Sequence, residues 1–221
     1  MKSDLHVSQS AARALSLLDT VISQGPLTLG AAAESNAMAP STALRHLRAL
    51  VAAGWLAQDG AGYYVGGPTS LRIALRLLGD SPFARLTEAA QPHLDALVGA
   101  TQESAYLAVR DGSEAIYVAI SESPRAIRHA GWVGRSVPIA GTAVGESLGA
   151  EVVAGDVPVS VNVGALEDDV AGVTVPVFGG DGVVAALSVL GPLERFDHEA
   201  RTEAGRVLRR ESALLGATLR G

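Results

Sequence analysis

The apolar residues of this chain change their period once, near Thr101, and that switch limits the fold to a helical unit followed by a sheet-bearing one. Before the switch, apolar side chains recur every three or four positions, interrupted by one short hairpin. After it they alternate every second position until a closing helix. A length of 221 residues allows one large domain or two small ones, and the change of texture favours two. The chain has no cysteine, which removes disulfide frameworks, thiolate zinc sites and cysteine nucleophiles together.

In residues 8–23, SQSAARALSLLDTVIS, Ala11, Leu15, Leu18 and Ile22 form the stripe of an amphipathic helix, ended by Gln24-Gly25-Pro26. Thr28 is placed to cap a second, short helix through LGAAAESN, in which Gly30 costs about 1 kcal/mol relative to Ala. Pro40 suits the first position of a third helix because it has no amide hydrogen to leave unpaired. That helix, about Pro40 to Ala53, buries Leu44, Leu47, Leu50 and Val51, and Gly54 stops it. WLAQDGAGYYVG then reads as two strands about a tight turn, a wing. Three helices and a wing, with arginines on the third helix, is the arrangement that sets a helix in the major groove of double-stranded DNA. The plainer alternative is a helical subdomain with a solvated face.

The formal charge of −6 is unevenly spread: residues 1–80 carry +1 and the remainder −7. An acidic body repels a polyanion everywhere except at the first segment, which leaves one docking face. Because +1 is a weak footprint, affinity has to come from dimerisation, helix N-termini and a few well-placed arginines. The N-terminal MKSDLHVSQS lacks an apolar core, and no apolar run approaches the roughly 20 residues of a membrane-spanning helix, so a soluble cytoplasmic protein with no membrane partner is expected.

Residues 1–68 therefore form the winged helix-turn-helix, 69–80 an interdomain helix and 81–221 a sensor-type domain. Leu71, Leu75 and Leu78 on the linking helix, and Leu86, Ala90, Leu94 and Leu97 on the next, serve as core or as a dimer seam. Pro92 predicts a kink or break in the second of these helices. ESAYLAVRDGSEAIYVAIS follows as a hairpin about Asp111-Gly112, and IRHAGWVG as a third strand. GTAVGESLGA is a short helix. VVAGDVPVSVNVG, GVTVPVF and VVAALSVLG supply further strands, and a last helix carries Leu208, Leu214 and Leu215. The fold class is α+β.

Four segments, SQSAARALSLLD, PSTALRHLRALVAAGWLAQDGAGYYVG, VGRSVPIAGTAVGESLGA and VPVFGGDGVVAALSVLGPLERF, stand in an order and spacing that resembles the IclR-type bacterial regulators over nearly the whole chain. The resemblance implies a winged helix-turn-helix joined by a helix to a GAF-like antiparallel-sheet domain. It also implies a homodimer or dimer of dimers on a pseudo-palindromic operator, repressing or activating in response to a small-molecule effector such as an organic acid, with repression expected. No cofactor is implied. One departure stands out: between Gly149 and Gly172 most members carry a long helical insertion that helps to cover the effector pocket, and here only EVVAGDVPVSVNVGALEDDVA remains. The pocket is then shallower, built from other residues, or not functional. The competing function is a small-molecule-binding or protein-interaction module whose winged helix does not read DNA.

For DNA, Ser41 and Thr42 either donate to phosphates or simply cap the third helix, and Arg45 reaches a base edge or a phosphate. Arg48 and His46 adjoin it, His46 as a surface side chain. In the wing, Tyr63 or Tyr64 touches the DNA backbone while hairpin alternation turns the other inward. For the effector, Gly141, Thr142 and Ala143 open the short helix, whose free amides favour an anionic group; their small size serves tight packing equally well. Ser188 matches a position where the family places a polar ligand contact, or is a buried serine bonded within its strand. Leu190 occupies the second such position and points to a more apolar ligand. Trp132 and Asn162 are candidate pocket walls, Trp132 alternatively core. Glu167-Asp168-Asp169 reads as a solvated loop rather than a metal site, and His93, His129 and His198 are scattered. No serine sits in a Gly-x-Ser-x-Gly setting, so no catalysis and no metal are expected.

Overall fold

A computed structural model describes residues 8–80, 82–151 and 157–220, and the chain divides into two compact units, Met1–Ser81 and Pro82–Gly221.

The first unit runs α1 (Gln9–Gln24), α2 (Leu29–Ser35), α3 (Pro40–Ala52), β1 (Leu56–Gln58), β2 (Tyr64–Gly66) and α4 (Pro68–Asp80). Ser8 and Thr28 cap the first two helices by accepting from the Ala11 and Ala31 amides. The turn between α2 and α3 puts Ala37 at φ 49°, in the left-handed region that a β-carbon disfavours. Asn36 holds that turn down, its Nδ2 donating to Thr20 Oγ1 at 3.0 Å and to the Ala32 carbonyl at 2.9 Å. Leu17, Val21, Ala32, Ala33, Ala43, Leu47, Leu50, Leu56 and Tyr64 close around one core.

The expected stripe on α1 is corrected by this packing. Leu17 and Val21 face the core, whereas Leu15 and Ile22 are 64% and 51% exposed. The helix carries two apolar stripes, and α2 and α3 cover only one. On α3, Leu47 and Leu50 are buried, while Leu44 and Val51 are half-buried. Along α4, Leu71, Leu75 and Leu77 are all exposed; the Leu78 side chain lies outside the described residues.

The second unit starts with α5 (Pro82–Thr101), which continues through Pro92 instead of breaking. Pro92 is exposed, so the carbonyl one turn back that loses its amide partner is open to water. A six-stranded sheet follows in the order β5 (Ser136–Pro138), β4 (Glu114–Ser121), β3 (Ser104–Asp111), β8 (Val183–Pro192), β7 (Val170–Phe178) and β6 (Ser160–Val163), with every neighbouring pair antiparallel. Helix α6 (Ala143–Leu148) lies between β5 and β6 in the chain, and α7 (His198–Arg220) ends it.

Period-2 alternation sorts this sheet into two faces. Ala105, Leu107, Val173, Val175, Leu187 and Val189 pack under α5 and α7; Tyr106, Ala108, Ala186 and Leu190 pack with α6 and Trp132. A bulge in β4 opposite Leu107/Ala108 changes the phase, so Tyr117 joins the second face and Ala119 the first. The expected strand over residues 127–134 does not form. His129 and Trp132 both point inward from three positions apart, which a strand cannot do, and Gly131 and Gly134 take φ of 80° and 83°. The edge position goes to β5 instead. On α7, Leu208 and Leu215 are core and Leu214 is 51% exposed.

Candidate functional sites

Helix α3 begins at Pro40 after Ala39, which supplies no side-chain cap. Ser41, Arg45 and Arg48 are exposed and Thr42 is half-buried, so Ser41 is not consumed as the cap. The helix contains no acid, and neither arginine has a partner among the described residues. Its opposite side carries Ala43, Leu47 and Leu50, and with them His46, which is only 5% exposed. His46 therefore lies inside the unit, correcting its expected surface position: residue 46 is one turn from both Ala43 and Leu50 and shares their face. In the wing, the Asp59 carboxylate accepts from the Ala61 and Tyr63 amides at 3.0 and 2.8 Å, fixing the turn. Tyr64 is buried and Tyr63 is 40% exposed, as the alternation requires.

Three of the residues expected in the effector pocket, Trp132, Ala143 and Asn162, come together with Tyr117, Thr174 and Leu190 around a cavity of only about 20 Å³. That is room for one water, against the several hundred Å³ that ligand pockets usually offer. Ser188 lies buried behind it, its Oγ 3.0 Å from Thr174 Oγ1. Burial pushes the Tyr117 phenol far above its ordinary pKa, opposed by a hydrogen bond with Ser188. The Thr142 hydroxyl accepts from the Gly145 amide at 3.2 Å and donates to the Pro138 carbonyl at 2.7 Å, so it caps α6. Gly141 is exposed at φ 74°. Gly145 packs so closely that a β-carbon there would overlap the Ile139 carbonyl.

Glu167 is the hub of this region and is only half-buried loop by position. One of its oxygens accepts from Trp132 Nε1 at 3.2 Å and from Arg135 Nη1 at 3.0 Å; the other faces His129 Nε2 at 3.6 Å. Arg135 also lies over the Trp132 ring, 4.6 Å from its centroid. His129 Nδ1 is 2.8 Å from the Tyr106 hydroxyl, while Nε2 is buried with no hydrogen-bond partner among the described residues. Burial lowers the His129 pKa, opposed by the Glu167 charge, so the ring is neutral at pH 7. The 3.6 Å approach is thus a contact between a neutral ring and a carboxylate, not a salt bridge. Beside it opens a cleft of about 600 Å³, walled by residues 127–130, 167, 169–170 and 192–194.

Glu167 and His129 are not legible as site residues in the sequence, because what joins them is three-dimensional; the acidic run reads as a solvated loop from one end to the other. Tyr117 and Thr174 carry a usable signal, the shared parity of neighbouring strands, but the β4 bulge disguises it. In the first unit Arg13 is exposed beside a hollow of about 380 Å³, bordered also by Asn36 and Thr42. Among the described residues no group of three or more His, Asp or Glu could hold a metal ion.

Two family models match the chain: the IclR helix-turn-helix domain over residues 10–60 and the bacterial transcriptional regulator IclR C-terminal domain over residues 83–153. The HTH-type transcriptional regulator KipR of Bacillus subtilis is 27% identical over 141 residues, which are 64% of this chain and 55% of that protein; the match spans about half of its length. Among solved structures, an IclR transcriptional regulator from Alicyclobacillus acidocaldarius superposes with a TM-score of 0.70 at 23% identity, covering 96% of this chain and 99% of that one. An IclR homologue from Microbacterium hydrocarbonoxydans, complexed with 4-hydroxybenzoate, gives 0.73 at 21% identity over 96% and 99%. At such identities the likeness is one of fold.

Proposed function

Because the chain belongs to the IclR family of bacterial transcriptional regulators, we propose that it is a sequence-specific DNA-binding regulator, a repressor, whose second unit responds to a small molecule. The observation that carries this reading is α3: two exposed arginines and an exposed serine on a helix without acids, next to a wing with Tyr63 outward. In it, Arg45 reads a base edge in the major groove, Ser41, Thr42 and Arg48 hold phosphates, and Tyr63 lies along the backbone. Residues 1–68 read DNA, 69–80 link, and 81–221 sense.

The uncovered stripes of α1 and α4, with Leu15, Ile22, Leu71, Leu75 and Leu77, support self-association into a homodimer, or a dimer of dimers, on a pseudo-palindromic site. Half-sites then lie about 34 Å apart, one helical turn of DNA. The effector works by binding one dimer arrangement more tightly than the other. Trp132, Ala143 and Asn162, with buried Ser188 behind them and with Gly141 and Thr142 leading into α6, form the wall it meets, although the space enclosed there holds about 20 Å³ and has to widen. No reaction is assigned to the protein. Among the described residues no helix is long and apolar enough to cross a membrane, and a role on DNA places the protein in the cytoplasm.

The test is fluorescence anisotropy with DNA from upstream of the protein's own gene, at two salt concentrations and against scrambled competitor. Selective binding that weakens steeply with salt is expected, since phosphate neutralisation releases counterions. Arg45→Ala should cost about 1–3 kcal/mol per half-site while the protein stays folded. Equal affinity for operator and scrambled DNA would instead make the winged helix a protein-contact module.

A further inference from the structure

The cleft beside the small pocket is the wrong place for an acid. Three of its charged side chains are the carboxylates of Glu167, Asp169 and Glu194. Its single arginine, Arg128, is tied to Glu122 at 2.8 Å. Between the charges lie apolar walls from Val170, Leu193 and Ile127. An anion entering here meets the carboxylates of Asp169 and Glu194 at the rim and finds Glu167 already paired with Arg135, while the one arginine of the cleft is engaged elsewhere.

Two further observations say what does fit. The first is that the protein already seats a cation at the edge of this region: the Arg135 guanidinium lies 4.6 Å over the Trp132 ring and 3.0 Å from Glu167 Oε1. An aromatic face with a carboxylate beside it is a cation site. Arg135 is itself half exposed, so its hold is one that a ligand can contest. The second is the His129 Nε2, on a side chain 3% exposed, unpartnered and turned toward Glu167 Oε2 at 3.6 Å. In the tautomer that carries its proton on Nδ1, facing the Tyr106 oxygen, Nε2 presents a lone pair. Lone pair and carboxylate then stand as two acceptors close enough for one N–H-rich group to reach both.

We propose that this cleft takes an organic cation, an amine or amidine on an apolar body, whose N–H groups bridge the Glu167 carboxylate and His129 Nε2. The assignment rests on the regulator reading above and gives the second unit, beside the wall of Trp132, Ala143 and Asn162, a ligand of charge opposite to that of the 4-hydroxybenzoate bound by the Microbacterium homologue. The apolar body lies against Val170 and Leu193, and Asp169 and Glu194 at the exposed rim draw the cation in. Bound there, it takes over part of the charge that Arg135 now neutralises, freeing Arg135 from Trp132 and Glu167.

Isothermal titration of the purified full-length chain with benzamidine, and separately with 4-hydroxybenzoate, tests this with one ring and two charges. Benzamidine should bind saturably, one per chain, and at least tenfold more tightly than the acid. Glu167→Gln should weaken it at least tenfold. Arg135→Ala should strengthen it about threefold, because an internal competitor is gone; loss of a merely structural contact would weaken binding instead. Should Glu167→Gln fail to fold, Glu194→Gln at the exposed rim should still weaken benzamidine at low salt. Absence of benzamidine binding, tighter binding of the acid, or indifference to the Glu167 and Glu194 variants would overturn the proposal. The same preparations go into the operator assay. Selective DNA binding without benzamidine binding leaves the regulator and removes the cation site, and the reverse removes the regulator and leaves the site.

Discussion

The two units keep their polar chemistry in opposite places. In the first, Ser41, Arg45, Arg48 and Tyr63 face water, and the inward polar group of α3 is His46. In the second, Tyr106, Tyr117, His129, Thr174 and Ser188 are buried and joined to one another. Among the described residues each unit buries one histidine whose Nε2 has no hydrogen-bond partner, yet their settings differ. His46 shares its face of α3 with Ala43, Leu47 and Leu50, whereas His129 has Tyr106 on one nitrogen and Glu167 facing the other. DNA is met from outside, so residues that touch it need only share one helix face. A small molecule is surrounded, so its contacts have to be gathered from several strands and loops, and they hold the fold together as well. Substitutions should therefore separate function from stability in the first unit and couple them in the second.

The largest effect that sharpens this contrast is expected at a glycine. Gly145→Ala sets a methyl group into the Ile139 carbonyl, where only backbone can give way. It should cost about 3 kcal/mol in denaturant unfolding of the full chain. Gly30→Ala in α2 is its counterpart: the new methyl meets nothing nearer than Thr28 Oγ1 at 3.9 Å, and stability should rise by about 0.5–1 kcal/mol. A Gly145→Ala protein within 0.5 kcal/mol of the parent would mean that the small residues of α6 are there for a ligand's approach and not for packing.

His129 gives the next largest effect, through pH. Burial lowers its pKa in the folded chain, so below the ordinary histidine value of about 6.5 the unfolded chain takes up a proton that the folded chain refuses. Stability is full above that value and falls as pH drops through it, by at most about 1.4 kcal/mol per pH unit. Thermal unfolding of the parent between pH 7.5 and 5.5 should show this decline, and His129→Gln should flatten it. An unchanged slope in the variant would assign the proton to another group and break the pairing of the two buried histidines.

How far each unit could be read from the sequence follows the same division. The α3 face is a local pattern, three and four residues apart, and Ser41, Arg45 and Arg48 are exposed where that periodicity puts them. A stripe through Leu44 and Val51 lies slightly off the true buried face of Ala43, Leu47 and Leu50, and so leaves His46 outside. On α1 two overlapping stripes made the solvent-facing one look like core. In the second unit the long strands are legible from their alternation while the edge strand β5 is not, and neither is Glu167, since its three neighbours stand 32 to 38 positions away: Arg135 is 32 residues back, Trp132 is 35 and His129 is 38. Nor could alternation foresee the β4 bulge that turns Tyr117 toward Trp132, their ring centroids 5.0 Å apart.

The smallest expected effect is the one that most directly probes whether the first unit keeps its reading chemistry outside. His46→Leu removes a buried nitrogen that has no partner and replaces it with an apolar group of similar size among Ala43, Leu47 and Leu50. Losing an unsatisfied polar group offsets any loss of shape fit, so stability should change by less than about 1 kcal/mol, in either direction. Operator affinity should stay within about twofold, because the substituted side chain is buried in the core of the unit whereas Arg45 is exposed. Anisotropy and urea unfolding on the same preparation separate the two quantities. A tenfold loss of affinity at unchanged stability would mean that residue 46 turns outward on DNA, and that the first unit, like the second, hides part of its chemistry in its core.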